Sequence, residues 1–259
     1  MQFGLIIIGD EILSGKRQDK HFAQVQRLLI DRGLELAWVK YLGDDRARLV
    51  ETLTTSFSWG DPVFACGGIG ATPDDHTRHA AAMALGVPLV LHPEAARLIA
   101  ERTADMAREG RGSADMSLPE NRQRLKMGEF PAGGDIIPNP YNKIPGFRLR
   151  HHWFLPGFPV MAWPMIEWVL DTHYRHLFHR RSFADRSFLV FDLAESTVTP
   201  LMERIEHDFP AIKAYSLPSM GENGQRRHIE LGVKGDVSSL DTAFDQLRAG
   251  VLALGGRIE

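Results

Sequence analysis

The amino-acid sequence predicts an α/β protein: a doubly wound, mostly parallel sheet over residues 1–177, followed by a smaller α+β unit over residues 187–259. Three observations predict it. Short apolar runs alternate with stretches of helical period, which is the pattern of βαβ units. The first strand, Met1–Ile8, is apolar on both faces, as a strand covered by helices on either side must be. A polar, basic segment at 178–186 (FHRRSFADR) then separates two regions of different element order.

Each element has a local reason. Lys20–Arg32 sets Phe22, Val25, Leu28 and Leu29 at helical spacing, and Gly33 stands where a C-cap glycine belongs. Leu34–Leu42 is the second strand, and Asp45–Phe57 the second helix, with Leu49 and Leu53 four apart. Pro62–Cys66 is a third, short strand, Gly67–Thr72 a turn, and Asp74–Leu85 the third helix. Val87–Leu91 reads as the next strand and Pro93–Glu109 as a long helix. Residues 109–117 form a polar loop. Residues 131–146 hold four prolines, three glycines and two asparagines, which predicts turns. His152–Leu155 is a strand that runs into Leu155-Pro156-Gly157, and Met161–Leu177 is the helix that closes the unit. Beyond the boundary, 187–193, 211–216 and 226–233 are strands, Glu195–Asp208 and Leu240–Leu254 are helices, and 216–224 is a hairpin loop.

Composition narrows the function classes. Of 259 residues, 44% are hydrophobic and 24% charged, which is ordinary globular usage. A net charge of −3 leaves no footprint for nucleic acid or an anionic membrane. The one cysteine, Cys66, has no partner for an internal disulfide, so a reducing, cytoplasmic location is expected. The N-terminal apolar run is short, lacks preceding basic residues and ends in Asp10-Glu11, unlike a signal peptide. No apolar run is long enough for a membrane span.

The chemistry concentrates after strand ends. In Gly67-Gly68-Ile69-Gly70-Ala71-Thr72-Pro73-Asp74-Asp75-His76-Thr77, a buried strand enters a glycine turn and then a helix. Glycines let backbone N–H groups approach a phosphate, and a helix N-terminus adds partial positive charge. The same turn serves equally as a tight βα connection with Asp74 or Asp75 as N-cap. It is neither a Rossmann fingerprint nor a P-loop. Asp10 and Glu11 follow the first strand, and Asp44 and Asp45 the second. In a parallel sheet these loops line one crevice. Acidic pairs facing a phosphate imply a divalent metal such as Mg²⁺ between them. Lys143 is the cation of the Pro-rich loop best placed by sequence to reach a phosphate. His151-His152, Arg180-Arg181 and the tryptophans 153, 163 and 168 read as structural or solvated.

Taken in order, GDEILSG at 9–15, Asp19, GDD at 43–45 and GGIGATPDDHT at 67–77 resemble the MoCF/MoaB–Mog molybdopterin-binding family, and more closely its CinA-type branch. The resemblance covers residues 1–177 and continues in Pro138-Asn139-Pro140, Pro145-Gly146-Phe147 and Leu155-Pro156-Gly157-Phe158-Pro159. Glu195-Ser196 followed by Leu201 looks like the opening of the KH-like domain that comes next in the CinA type, and the expectation is the nucleotide domain without the CinA deamidase domain. The resemblance implies a three-layer fold that binds molybdopterin or a nucleotide and oligomerises, as a homodimer or trimer here. It places Asp44 on the acid after the second strand, Asp75 and Thr77 on the acid and threonine of a D-x-T signature, and Gly67, Gly68 and Gly70 on the phosphate turn. Asp44 and Asp75 are then the expected catalytic and metal-holding residues. Thr72, Thr77, Asp10, Glu11 and Asn139 join Lys143 and the glycines as ligand-binding candidates. The chain departs from the family pattern at Ala71, His21, Asn142-Lys143 and Met161.

Two functions follow as expectations. One is a Mg²⁺-dependent nucleotide pyrophosphatase, for example converting ADP-ribose to AMP and ribose 5-phosphate, with adenylyl transfer to molybdopterin as its variant. The other is a module that binds a pterin or nucleotide without turnover.

Overall fold

The computed structural model describes residues 2–180, 183–221 and 226–259. The chain divides into two compact units, residues 1–178 and 179–259. In the first unit β1 (Phe3–Ile8), β2 (Leu36–Leu42) and β3 (Val63–Cys66) alternate with α1 (Asp10–Leu13), α2 (His21–Ile30) and α3 (Arg46–Trp59). Then follow α4 (Thr77–Leu85), β4 (Leu89–Leu91), α5 (Pro93–Arg108), α6 (Pro119–Leu125), β5 (Glu129–Pro131), β6 (Asp135–Ile137), β7 (Gly146–Leu149), β8 (His152–Leu155) and α7 (Pro159–Val169).

The main sheet runs β2-β1-β3-β8-β7-β6. Its first four strands pair in parallel, and the β8–β7 and β7–β6 pairings are antiparallel. Successive side chains of β1 point to opposite faces, and both faces are covered. Phe3, Leu5 and Ile7 join Phe64, Trp153 and Leu155 in a core closed by Val25 and Leu29 of α2 and by Ile166 and Val169 of α7. Ile6 and Ile8 join Val63, Ala65 and Phe154 in a second core closed by Leu49 and Leu53 of α3 and Ala80 of α4. Helices, sheet and helices therefore make three layers. On the second face, Phe130, Phe147 and Phe154 stack with centroids 4.9 and 4.4 Å apart.

Several expectations are corrected here. The 87–91 strand does not extend the main sheet. Its ordered part, β4, pairs antiparallel with β5 in a separate ribbon. The turn-rich 131–146 region contains β6, and α6 forms where no element was expected. The closing helix starts at Pro159 and ends at Val169, and 170–174 winds on as a π turn. The third helix begins at Thr77, not Asp74, and His76 stands at its N-cap without a side-chain cap. Among the described residues no helix is long and apolar enough to cross a membrane.

The second unit runs β9 (Phe183–Phe191), α8 (Glu195–Asp208), β10 (Ile212–Ser219), β11 (His228–Asp236), α9 (Val237–Ala253) and β12 (Arg257–Ile258). All pairings are antiparallel, in the order β10-β11-β9-β12. The short β12 completes a βαββαβ unit, the split βαβ arrangement. Val198, Leu201 and Ile205 of α8 and Leu240, Phe244 and Leu247 of α9 close its core over Val190, Leu231 and Val233. The segment 183–186, read as boundary, is the start of β9. Arg181 of the expected linker and residues 222–224 of the expected hairpin lie outside the described residues.

Candidate functional site

A cavity of about 470 Å³ opens at the carboxyl ends of β1, β3 and β8, the position where parallel sheets receive ligands. Its floor is the turn from Gly67 to Thr72. Gly67 has φ 115° and Gly68 φ 66°. A Cβ at Gly67 overlaps the Ile8 carbonyl, and one at Gly68 overlaps the Thr77 hydroxyl, so these positions need glycine on two counts. The Gly67 amide donates to the Leu155 carbonyl at 2.9 Å, and the Thr77 amide to the Gly68 carbonyl at 3.0 Å. Among the described residues, the amides of Gly68, Ile69, Gly70 and Ala71 find no hydrogen-bond acceptor in the protein. These four residues line the cavity. Consecutive unpaired N–H groups in such a turn make an anion-binding nest.

The turn is braced from behind. Arg78 is 2% exposed, and its guanidinium donates to the carbonyls of Gly70 (2.7 Å), Lys126 (2.6 Å) and Glu129 (3.2 Å). Thr77 is fully buried and its hydroxyl donates to the Gly67 carbonyl at 3.0 Å. Expected as a ligand contact, Thr77 shapes the turn instead, because its only hydroxyl is spent within it.

Four of the six acids that the sequence places after strand ends, Glu11, Asp44, Asp74 and Asp75, meet at the cavity, while Asp10 and Asp45 do not. The Asp10 and Asp44 loops are clasped: the Asp10 amide donates to Asp44 Oδ2 at 2.9 Å, and the Asp44 amide to Asp10 Oδ1 at 3.2 Å. Asp10 lies outside the cavity wall, while Glu11, Asp44, Asp74 and Asp75 line it. Burial raises the Asp44 carboxyl above its usual range, and the charges of Asp10, Glu11 and Asp74 add to this. Asp45 caps α3 through the Arg48 amide. The roles in the Asp74-Asp75 pair are the reverse of those expected. Asp74 caps nothing: it is exposed, and hydrogen bonding from Thr72 lowers its pKa. Asp75 accepts from both the amide (2.9 Å) and the hydroxyl of Thr72, so one of its oxygens is committed to holding the turn.

The Pro-rich loop forms another wall. Asn139 is 5% exposed, and its side chain is wholly used inside the loop: it donates to Asn142 Oδ1 and the Ile144 carbonyl and accepts from the Tyr141 amide. It lines the cavity as a brace. Lys143 does not reach the cavity; its ammonium pairs with Asp105 at 2.9 Å and lies 3.9 Å from Glu101. Phe158 and Met161 complete this side.

The cation at the cavity is one that sequence reading missed. The Arg17 amide donates to the Glu11 carbonyl at 2.9 Å, which folds the 14–17 loop back so that Arg17 lines the cavity. Its guanidinium forms no ion pair among the described residues. No spacing rule marks Arg17, since only the return of its loop puts it there. His21, which departs from the family pattern, is 5% exposed, and its Nε2 lies 3.0 Å from the Gly157 carbonyl, tying α2 to the cavity wall.

Comparison with known proteins agrees with this geometry. A family described as probable molybdopterin binding domain matches residues 4–176. A CinA-like protein of Koribacter versatilis is 30% identical over 258 residues, 95% of this chain and 58% of that protein. A CinA-like protein of Geobacter metallireducens is 32% identical over 217 residues, 82% of this chain and 50% of that one. The chain thus spans about half the length of the curated relatives it matches. The crystal structure of the protein CinA from Thermoplasma acidophilum has the same fold, with a TM-score of 0.56 at 23% identity over 66% of this chain and 98% of that one. The glycine turn, the acids that rim it and every wall of the cavity fall inside the matched span, and the chain belongs to the family of probable molybdopterin-binding domains.

Proposed function

We propose that the cavity binds the pyrophosphate or phosphate of a nucleotide or of molybdopterin, and that the protein is a metal-dependent nucleotide pyrophosphatase. The observation that carries this reading is the row of unpaired amides at Gly68–Ala71 in a cavity walled by four carboxylates. The amides hold phosphate oxygens, and Arg17 adds a positive charge to the same cavity. Bare carboxylates repel such a ligand. Burial first, and then the charges of Asp10, Glu11 and Asp74, raise the Asp44 carboxyl above its usual range, and a divalent cation such as Mg²⁺ would relieve the repulsion. Asp44 and Asp74 would hold it, since one oxygen of Asp75, the partner of Asp44 that sequence suggested, is committed to Thr72. When bound, the metal supplies charge neutralisation on the phosphate and lowers the pKa of a bound water. Water adds to one phosphorus of ADP-ribose and the bridging oxygen leaves, giving AMP and ribose 5-phosphate. The loop amides stabilise the charge that grows on the phosphoryl oxygens.

The test is AMP release from ADP-ribose, followed by chromatography with Mg²⁺ and with a chelator. Mg²⁺-dependent AMP is the expected result. A second reading rests on a specific observation: among the described residues, no three His, Cys, Asp or Glu side chains are grouped to hold a metal. It makes the protein a pterin- or nucleotide-binding module without turnover. Thermal stabilisation by a nucleotide with no AMP formed selects that reading. We also propose that the chain forms a homodimer or trimer, since Phe158, Val160 and Trp168 of the α7 region are exposed. Light scattering that finds only a 29.0 kDa species at micromolar concentration overturns this.

A further inference from the structure

Behind the glycine turn lies a second recess, of about 330 Å³, that the reading of the cavity does not use. The two share Ala71, Thr72 and Asp75, so the same segment has the cavity on one side and the recess on the other. The recess gathers Arg46 from the first turn of α3, His76, Arg78 and His79 from the start of α4, and Lys126 from the turn after α6.

The chemistry of this lining is that of an anion site. Arg46, Arg78 and Lys126 form no ion pair among the described residues. Arginines 97, 102, 108 and 111 on and beyond α5, by contrast, are all paired with acids. Arg46 Nη2 lies 3.1 Å from His76 Nδ1, so its nearest polar neighbour is a ring nitrogen and not a carboxylate. Of the two acids in the lining, Asp75 is committed to Thr72, and Glu129 makes no ion pair among the described residues, although the charges of both favour the charged form of Arg78. Arg78 is 2% exposed, gives its terminal N–H groups to carbonyls only, and leaves Nε buried with no partner. A buried guanidinium balanced by no bonded carboxylate is costly unless something anionic approaches it. The net positive field is felt by a neighbour: burial, then the charges of Arg78, Arg46 and His76, hold the His79 imidazole below its usual range against the opposing charge of Glu129. The N-terminus of the nine-residue α4 adds to the same field, and no side chain caps it.

We propose that this recess is a second, separate anion site that binds a phosphate group, either inorganic phosphate or the phosphoryl group of a small metabolite, between Arg46, Lys126 and the start of α4. A phosphate dianion supplies acceptors to the open donors of Arg46 and Lys126 and offsets the buried charge of Arg78. It does so from behind the turn whose front faces the cavity. The proposal is independent of what the cavity binds or turns over.

The experiment is an NMR titration of the full chain with inorganic phosphate at constant ionic strength, following the His79 ring resonances and the Arg78 Nε–H. Saturable shifts at both are expected, and chloride at equal ionic strength leaves them in place. Arg46 and Lys126 are exposed, so Arg46→Gln and Lys126→Gln leave the fold intact. Together they are expected to raise the phosphate dissociation constant about tenfold or more, on the scale of two lost charge-assisted hydrogen bonds. Arg17→Ala, at the front cavity, leaves the His79 shifts unchanged. Ribose 5-phosphate moving the same resonances at lower concentration identifies a phosphorylated metabolite, and not free phosphate, as the occupant. The proposal is overturned if phosphate gives no saturable shift at His79, if the shift survives the double variant, or if Arg17→Ala abolishes it.

Discussion

Asp74 and Asp75 are neighbours in sequence with opposite jobs in space, and the difference is measurable. Asp75 holds the turn through the Thr72 amide and hydroxyl. Asp75→Asn keeps an acceptor there but weakens both bonds, so it is expected to lower stability by about 1 kcal/mol and to loosen ligand binding with or without metal. Asp74 is exposed, Asn in its place keeps an acceptor for Thr72, and its charge adds to the field at Asp44. Asp74→Asn is therefore expected to leave the melting temperature unchanged while cutting Mg²⁺-dependent turnover by about a hundredfold, the scale of one lost electrostatic contact in a site. Melting curves and AMP assays on the two variants separate these outcomes. A larger Mg²⁺ effect from Asp75→Asn returns the metal to the residue that sequence favoured. The sequence singled out this pair, and both residues line the cavity, but it assigned their roles from a helix start placed three residues too early. That start is set by Thr77, whose hydroxyl reaches back to Gly67, a contact no local rule displays.

At the scale of elements, α3 and β8 are joined by a polar bond in an apolar layer. Ser56 Oγ and His152 Nε2 lie 2.8 Å apart, with the Phe57 ring 4.1 Å from the imidazole. Burial drives the His152 pKa down to about 3, helped by His151 and Arg150. The unfolded chain takes up a proton near pH 6.5 that the folded chain refuses until about pH 3. Stability therefore falls as pH drops through that window, by on the order of a few kcal/mol from this group. A Ser56→Ala/His152→Phe double variant is expected to start less stable at pH 7 and to lose less on acidification. Parallel melting curves that keep the parent's slope rule the assignment out. The sequence placed His152 on a strand and read it as structural, because the alternation of apolar strands and helices is legible wherever both faces are buried. It could not show that β4 leaves the main sheet for β5, since three residues carry no record of their partner. Arg17 and Arg78 were illegible for a related reason: each looks like a solvated surface arginine until the fold of its surroundings places Arg17 at the cavity and buries Arg78.

Across the whole molecule, the two units keep separate cores. All five tryptophans, at 38, 59, 153, 163 and 168, lie in the first unit. Tryptophan fluorescence thus reports that unit alone, while far-UV circular dichroism reports both. In urea the two probes are expected to trace different transitions, as separately cooperative units do. Coincident curves at every protein concentration show instead that the chain unfolds as one body.

The last residue of β3 turns the floor of the cavity into a clock. Cys66 is the only cysteine, is 1% exposed, and immediately precedes Gly67. Burial pushes its thiol far above the usual range, so the closed protein presents no thiolate to an alkylating reagent. Any labelling has to wait for β3 to part from its neighbours β1 and β8, the two strands whose ends hold the turn. The rate of iodoacetamide labelling then counts openings of the phosphate floor without any engineered probe. A ligand seated on the Gly68–Ala71 amides is expected to slow that count in proportion to its occupancy, even where it leaves the global unfolding transition in place.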